Sequence, residues 1–310
     1  MDTDFVSCAA EPLAYLNGEF VQLREARLPV WDLGLVQGAT ITEAIRTFRH
    51  QPFRLEEHLD RLEWSLQGVS LEPKESIGQI RHLILELVRF NATSVPESQD
   101  LLVNLFVTAG ESQVHSGGFA RQPGRPTVGI LTRPLSLPAT HFHAGISLAI
   151  PAVRHIPPSI IDPRIKYRSR LHWHLAEIEA RKADPQAEAL LLDLDGFVTE
   201  TARGNMIARF DQVLKTPSEK TTLAGVSQQV AIELLRRTGL AVERANMTAD
   251  ELANASEILL TSTTACVVPV TRLNGRGVGD GRPGPTWRSL ISDWSEMVGV
   301  DIVGQASASS

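Results

Sequence analysis

The stretch "RIKYRSRLHWHL" places a basic residue or a histidine at every second position from Arg164 to His174: Arg164, Lys166, Arg168, Arg170, His172 and His174. A period of two puts side chains on one face only while the chain stays extended. Leu171, Leu175 and Ile178 recur at helical spacing and Ser169 is placed to cap a helix, so the ladder is expected to break near Ser169. On a helix, His172 and His174 stand two apart and do not face each other. The histidines of "HFH" (141–143) have no acidic or cysteine partners, and no metal site is expected. Arg164, Lys166 and Arg168 remain as an extended segment. Its simplest reading is a solvated basic edge. Its chemical reading is one lysine, an amine kept unprotonated by desolvation and neighbouring positive charge, as Schiff-base chemistry requires.

A second stretch is "DLDGFVTETARGN". Asp193, Asp195 and Glu200 are wrongly spaced for a calcium loop, and Phe197 and Val198 are apolar. The Asp195-Gly196 pair instead reads as a hairpin turn that delivers Val198 and Glu200 on one strand face. If Val198 points to a core, Glu200 is an inward carboxylate that needs a partner, and a protonated pyridine nitrogen would be one. Taken alone, a strand-end glutamate in solvent is the simpler reading. "LAGVSQQ" puts Gly225 and Ser227 at a helix start, where backbone N–H groups and the helix dipole attract anions. "LLTSTTA" gathers Thr261, Ser262, Thr263 and Thr264 in a turn after an apolar strand. Both fit a phosphate cradle and both fit ordinary capping; neither is a Walker loop or a dinucleotide fingerprint. Arg61 lies beside the apolar stripe of "EEHLDRLEWSL", where it could bind a phosphate or simply snorkel.

Several elements must position these residues. An Asn17-Gly18 hairpin opens the chain, and helices follow from Leu55 and over "ESIGQIRHLILELVRF". "DLLVNLFVTAG" reads as a buried strand, "ESQVHSGGFARQPGRP" as a loop, and "TVGILT" as the start of a second domain. Strands at "AGISLAI" and "EALLLDLDGFVTE", a helix over "AGVSQQVAIELLRRTGL" and a last helix near Thr286–Val298 complete the pattern. Strands and helices mix without strict βαβ alternation, which points to an α+β fold. The expected organisation is an N-terminal α/β domain over 1–120, a linker over 121–130, a larger C-terminal domain over 131–300 and a disordered tail over 301–310. Of the 310 residues 43% are hydrophobic, enough for a sizeable core, and the net charge of −6 argues against nucleic acid or an anionic membrane as partner. No stretch has the apolar length of a membrane span, and the first twenty residues lack the pattern of a secretory signal. Two distant cysteines, Cys8 and Cys266, suit a reducing, cytoplasmic compartment.

In order and spacing these pieces resemble the class IV, fold-type IV pyridoxal-phosphate enzymes, which include branched-chain and D-amino-acid aminotransferases and aminodeoxychorismate lyase. "LNGEFV", "DLGLVQGATITEAIRTF", "FRLEEHLDRLEWSL", "IKYRSRL", "EALLLDLDGFVTETARGNMIARF", "TLAGVSQQ" and "LLTSTTACVVPV" carry the likeness over about Tyr15 to Leu290. The resemblance implies two domains with the cofactor between them, in a homodimer. It implies pyridoxal 5′-phosphate bound as a Schiff base to Lys166, with Glu200 on the pyridine nitrogen. Arg61, Val226, Ser227 and Thr263 would hold the phosphate. The freed lysine would move the proton between substrate and cofactor, transferring an amino group between an amino acid and a 2-oxo acid. Departures fall at substrate-facing positions: Thr42 stands where the family usually has an aromatic, Ala109 where many members have arginine, and Thr264 where a small residue is common. A lyase that releases pyruvate, and a family member that binds the cofactor without turnover, are the alternatives.

Overall fold

The structure, a computed structural model, describes residues 11–112 and 124–308. The chain forms two compact units, Met1–Leu135 and Ser136–Ser310.

In the first unit, β1 (Leu13–Leu16) and β2 (Glu19–Gln22) form the expected hairpin, with Asn17 and Gly18 at φ 49° and 100°. Those positive angles are the ones a two-residue hairpin turn demands. A single helical turn, α1 (Leu33–Val36), is capped by the Asp32 carboxylate and leads to β3 (Thr40–Phe48) and β4 (Gln51–Pro52). Then come α2 (Leu55–Gly68), α3 (Ile77–Asn91), β5 (Leu101–Thr108) and β6 (Thr127–Pro134). The strands make one antiparallel sheet in the order β2-β1-β6-β5-β3-β4. Helix α2 buries Leu55, Leu59, Leu62 and Leu66, and α3, started by a Ser76–Gln79 capping box, buries Ile80, Ile84, Leu87 and Val88. Each stripe repeats at three and four residues, so it faces the sheet continuously.

The second unit begins with α4 (Thr140–His143), β7 (Ile146–Ala149), α5 (Leu171–Ala183), β8 (Ala187–Leu192), β9 (Val198–Thr201) and β10 (Asn205–Phe210). It continues with β11 (Val213–Thr216), α6 (Val226–Arg237), β12 (Ala241–Arg244), α7 (Ala249–Ala253), β13 (Glu257–Ser262) and β14 (Cys266–Leu273). The last elements are β15 (Arg276–Gly277), α8 (Pro285–Val298) and α9 (Ile302–Ala308). The sheet runs β12-β11-β10-β13-β14-β7-β8-β9, and β9 pairs back to β10. Six strands therefore close into a ring, and the closing pair is Asn205 with Glu200.

Three expectations are corrected. The linker expected at 121–130 overlaps β6, which pairs with β5 and β1 inside the first unit, so "TVGILT" does not open the second. A short apolar run reads as a strand without saying which sheet it joins; residues 113–123 of the expected loop lie outside the described residues. The tail expected to be disordered carries α9, because Ile302 and Ala306, one turn apart, are both buried and Asp301 accepts from the Gly304 N–H. Helix α5 starts at Leu171 with Arg170, not Ser169, as N-cap. Its buried face is Trp173, Ala176 and Ala180, packed on Ala149, Ala189 and Leu191. Leu171, Leu175 and Ile178 are 70%, 51% and 44% exposed. Small residues bring this helix close to the sheet, and the larger aliphatics face outward.

Candidate active site

Lys166 sits between β7 and α5, in a segment tied down on both sides. The Ile165 N–H donates to the Asp162 carbonyl and the Tyr167 N–H donates to the Ile165 carbonyl. The second bond closes a three-residue turn with Lys166 at its centre. Buried Ile165 anchors the turn, and the half-buried Lys166 lines a cavity with His155, Tyr167, Arg170, Glu200 and Leu223. The rest of the basic ladder disperses. Arg164 pairs with Asp162 at 2.7 Å, and Arg168 and His174 are exposed. Arg170 lies over the Trp173 ring, 5.8 Å from its centroid, and donates to the Ala202 carbonyl. Burial, with the His155 and Arg170 charges, pushes the His172 imidazole down to about 4, so it is neutral at pH 7.

Glu200, at 9% exposure, is the inward carboxylate and not a solvated strand end. Its Oε2 accepts from Asn205 Nδ2 at 3.0 Å and from the Leu223 N–H at 3.1 Å, and its Oε1 lies 3.4 Å from His155 Nε2. Burial and the Glu200 charge both raise the Tyr167 phenol, so Tyr167 stays protonated as a neutral wall. Asn205 ties the site together. Its second amide N–H donates to the Leu223 carbonyl at 2.9 Å, and its own carbonyl accepts from Thr261 Oγ1 at 3.1 Å. A Cβ at position 225 would stand 2.0 Å from Asn205 Oδ1, so only glycine there lets α6 start beside this amide. Val226 and Ser227 are the first residues of α6, whose initial N–H groups have no carbonyl one turn back. Gln228 fixes that end of the helix by donating to Thr216 Oγ1 at 2.7 Å. Thr263 and Thr264 occupy the β13–β14 turn, in which Ser262 Oγ accepts from the Ala265 N–H at 3.2 Å.

The remaining candidates lie in the first unit. Arg61, on α2, donates from Nε and Nη2 to Glu43 at 2.7 and 2.8 Å, and His58 Nδ1 donates to the same carboxylate at 2.9 Å. The guanidinium is thus held along one edge, and it does not merely snorkel. Thr42, next to Glu43 on β3, spends its hydroxyl on the Leu105 carbonyl at 2.9 Å. Ala109 follows β5 at the same end of the β3–β5 ladder, and its N–H donates to the Ala39 carbonyl.

The family model of class IV amino-transferases matches residues 40–273. The chain belongs to that family. This class IV aminotransferase is 32% identical to a putative branched-chain-amino-acid aminotransferase of Methanocaldococcus jannaschii, over 91% of this chain and 95% of the relative. It is 30% identical to the D-alanine aminotransferase of Bacillus licheniformis, over 88% and 93% of the two chains. A solved structure of the T.th. branched-chain amino acid aminotransferase with pyridoxamine 5′-phosphate superposes with a TM-score of 0.83 at 25% identity, covering 93% of this chain and 95% of that one. The aminotransferase is accordingly a two-domain, fold-type IV α+β enzyme of the branched-chain aminotransferase-like kind, and class IV aminotransferases use pyridoxal 5′-phosphate.

Sequence reasoning missed two residues of the candidate site. Asn205 was legible only as an asparagine opening a strand, where that residue is unfavourable. His155 lies in an irregular segment with no motif of its own.

The Glu43 cluster carries a pH consequence. Burial pushes the Glu43 carboxyl up, but the Arg61 charge and the bonds from His58 and Arg61 outweigh it and hold it well below the ordinary 4.5. A carboxyl lowered on folding contributes stability that is complete above the unfolded value and is lost as pH falls below about 4.5 towards the folded value. Melting temperatures taken from pH 7 to pH 3 should therefore fall more steeply in the wild type than in Glu43→Gln. The variant should be the less stable at pH 7, because Arg61 loses its buried counter-charge. Parallel curves would contradict this assignment.

Proposed function

We propose that the protein is a pyridoxal-5′-phosphate-dependent transaminase that moves an amino group between an amino acid and a 2-oxo acid, with Lys166 as its reactive amine. The observation that carries this reading is one cavity lined by both Lys166 and Glu200, with Oε2 of that carboxylate fixed by two N–H donors. The donor set suits the cofactor. A carboxylate has about four acceptor positions, and Oε1 keeps capacity for a cationic ring N–H. The start of α6, with Val226 and Ser227, suits a phosphate, as does the Thr263 turn. Arg61 would add a guanidinium whose edge Glu43 already orients.

The cofactor, once bound, supplies an electron-withdrawing ring that stabilises negative charge at the substrate Cα. Glu200, opposite the ring nitrogen, would hold that nitrogen protonated. Lys166, released when the amino donor enters, would take the proton from the substrate Cα and return it to the cofactor. Thr42, Ala109 and Thr264 are the substrate-facing positions. None carries a charge, and the Thr42 hydroxyl and the Ala109 N–H already donate within the sheet, to the Leu105 and Ala39 carbonyls. A donor panel that includes branched-chain L-amino acids and D-alanine tests the reading. Conversion of the bound cofactor to its amine form by a donor alone, and back by a 2-oxo acid, is expected. Release of pyruvate without an acceptor would establish a lyase instead.

The reading includes a cytoplasmic homodimer. The exposed row Leu171, Leu175 and Ile178 on α5, at i, i+4 and i+7, is an apolar stripe that a second copy could cover. Leu175→Glu should shift sedimentation from dimer to monomer; an unchanged dimer would remove this stripe from the interface.

A further inference from the structure

Glu200 is held from two directions. Oε2 takes its two N–H donors from Asn205 and Leu223. Oε1 faces His155, a residue from an irregular segment beside β8, with Nε2 at 3.4 Å and both side chains buried. The His155 N–H donates to the Leu192 carbonyl at 2.9 Å, which fixes its backbone on the end of β8. Its Nδ1 lies 3.0 Å from the Ile156 carbonyl oxygen. A carbonyl and a carboxylate both only accept, so the ring meets the two together when both nitrogens carry hydrogen, Nδ1 donating to the carbonyl and Nε2 addressing the carboxylate as a cation. The ring packs edge-on against Trp173 and His172, with centroids 5.6 and 6.0 Å away.

The terminal torsion of a glutamate is broad, so a carboxylate held at one oxygen can still rock about its last bond. A contact on the other oxygen removes that freedom. We propose that His155 is a positioning residue: it pins Oε1 and so keeps the Glu200 carboxylate turned towards the ring nitrogen of the cofactor. The inference rests on the reading of Glu200 given above. Pre-set orientation matters because the carboxylate holds the ring nitrogen protonated best when it is already aimed at it and does not have to reorganise.

The test compares holoenzymes of the wild type, His155→Phe, His155→Gln, Glu200→Gln and the double variant His155→Phe/Glu200→Gln. His155→Phe keeps the ring and removes both nitrogens. It should lower kcat about tenfold, the worth of one oriented charged contact, while KM for the amino donor moves less than about twofold. The visible band of the bound cofactor should move in the direction seen in Glu200→Gln. Apo-His155→Phe should bind added pyridoxal 5′-phosphate more weakly in a spectral titration. His155→Gln, which retains an N–H donor, should recover most of kcat and the wild-type band; it also serves should the phenylalanine variant not fold. The double variant should be no slower than Glu200→Gln, because His155 acts through Glu200. A wild-type kcat and band in His155→Phe would overturn the inference, as would a further tenfold loss on top of Glu200→Gln. If Glu200→Gln is impaired while His155→Phe is not, only the positioning role fails. If Glu200→Gln is itself unimpaired, the reading of the carboxylate fails with it.

Discussion

Lys166→Ala is expected to abolish transamination, with kcat falling at least about 10³-fold, as befits loss of the group that both bonds to the cofactor and moves the proton. The proposed mechanism puts two roles on this one nitrogen, and no neighbour is placed to stand in. Arg168 and His174 are exposed, and Arg170 is committed to Trp173 and the Ala202 carbonyl. The fold should survive, because Lys166 lines a cavity in a turn whose anchor is the buried Ile165. Single-turnover assays with a saturating donor, beside a melting curve, separate the two effects. Near-normal turnover in the variant would be fatal to the mechanism.

Glu200→Gln is the second large effect, an expected loss of about 10²-fold in kcat. The amide has the shape of the carboxylate, and its oxygen would stay with Asn205 Nδ2 and the Leu223 N–H. Its NH₂ would then replace Oε1 and present a donor to a ring nitrogen that also needs to donate. The ring nitrogen would lose its proton and most of its electron-withdrawing strength, with little change in KM. Steady-state kinetics and the cofactor band report both. A variant with the wild-type kcat would remove Glu200 from the chemistry.

The residues that speak loudly in the sequence are those whose local pattern is tied to one structure. The Asn17-Gly18 and Asp195-Gly196 turns, the α2 stripe and the Gly225 helix start appear where spacing puts them. The break of the ladder before α5 set Arg164, Lys166 and Arg168 apart from the histidines, and the family resemblance alone singled out Lys166 among them. What the sequence hid is set by long-range pairing. β6 reads as an apolar strand of either unit, and only its register with β1 and β5 assigns it. Leu171, Leu175 and Ile178 have the period of a buried face, yet alanines on the opposite side pack the helix closer. Asn205 matters because the ring of strands closes on it, 5 residues from Glu200 in sequence but across the seam in the sheet. His155 meets Glu200 across 45 positions of chain, a contact no periodicity encodes.

The central claim is that Lys166 is the amine that bonds the cofactor. Borohydride reduction of the holoenzyme followed by peptide mapping tests it most directly. The account predicts a pyridoxyl group on the peptide containing Lys166 and on no other lysine. A label on a different lysine, or cofactor-loaded protein that takes no label, would contradict it.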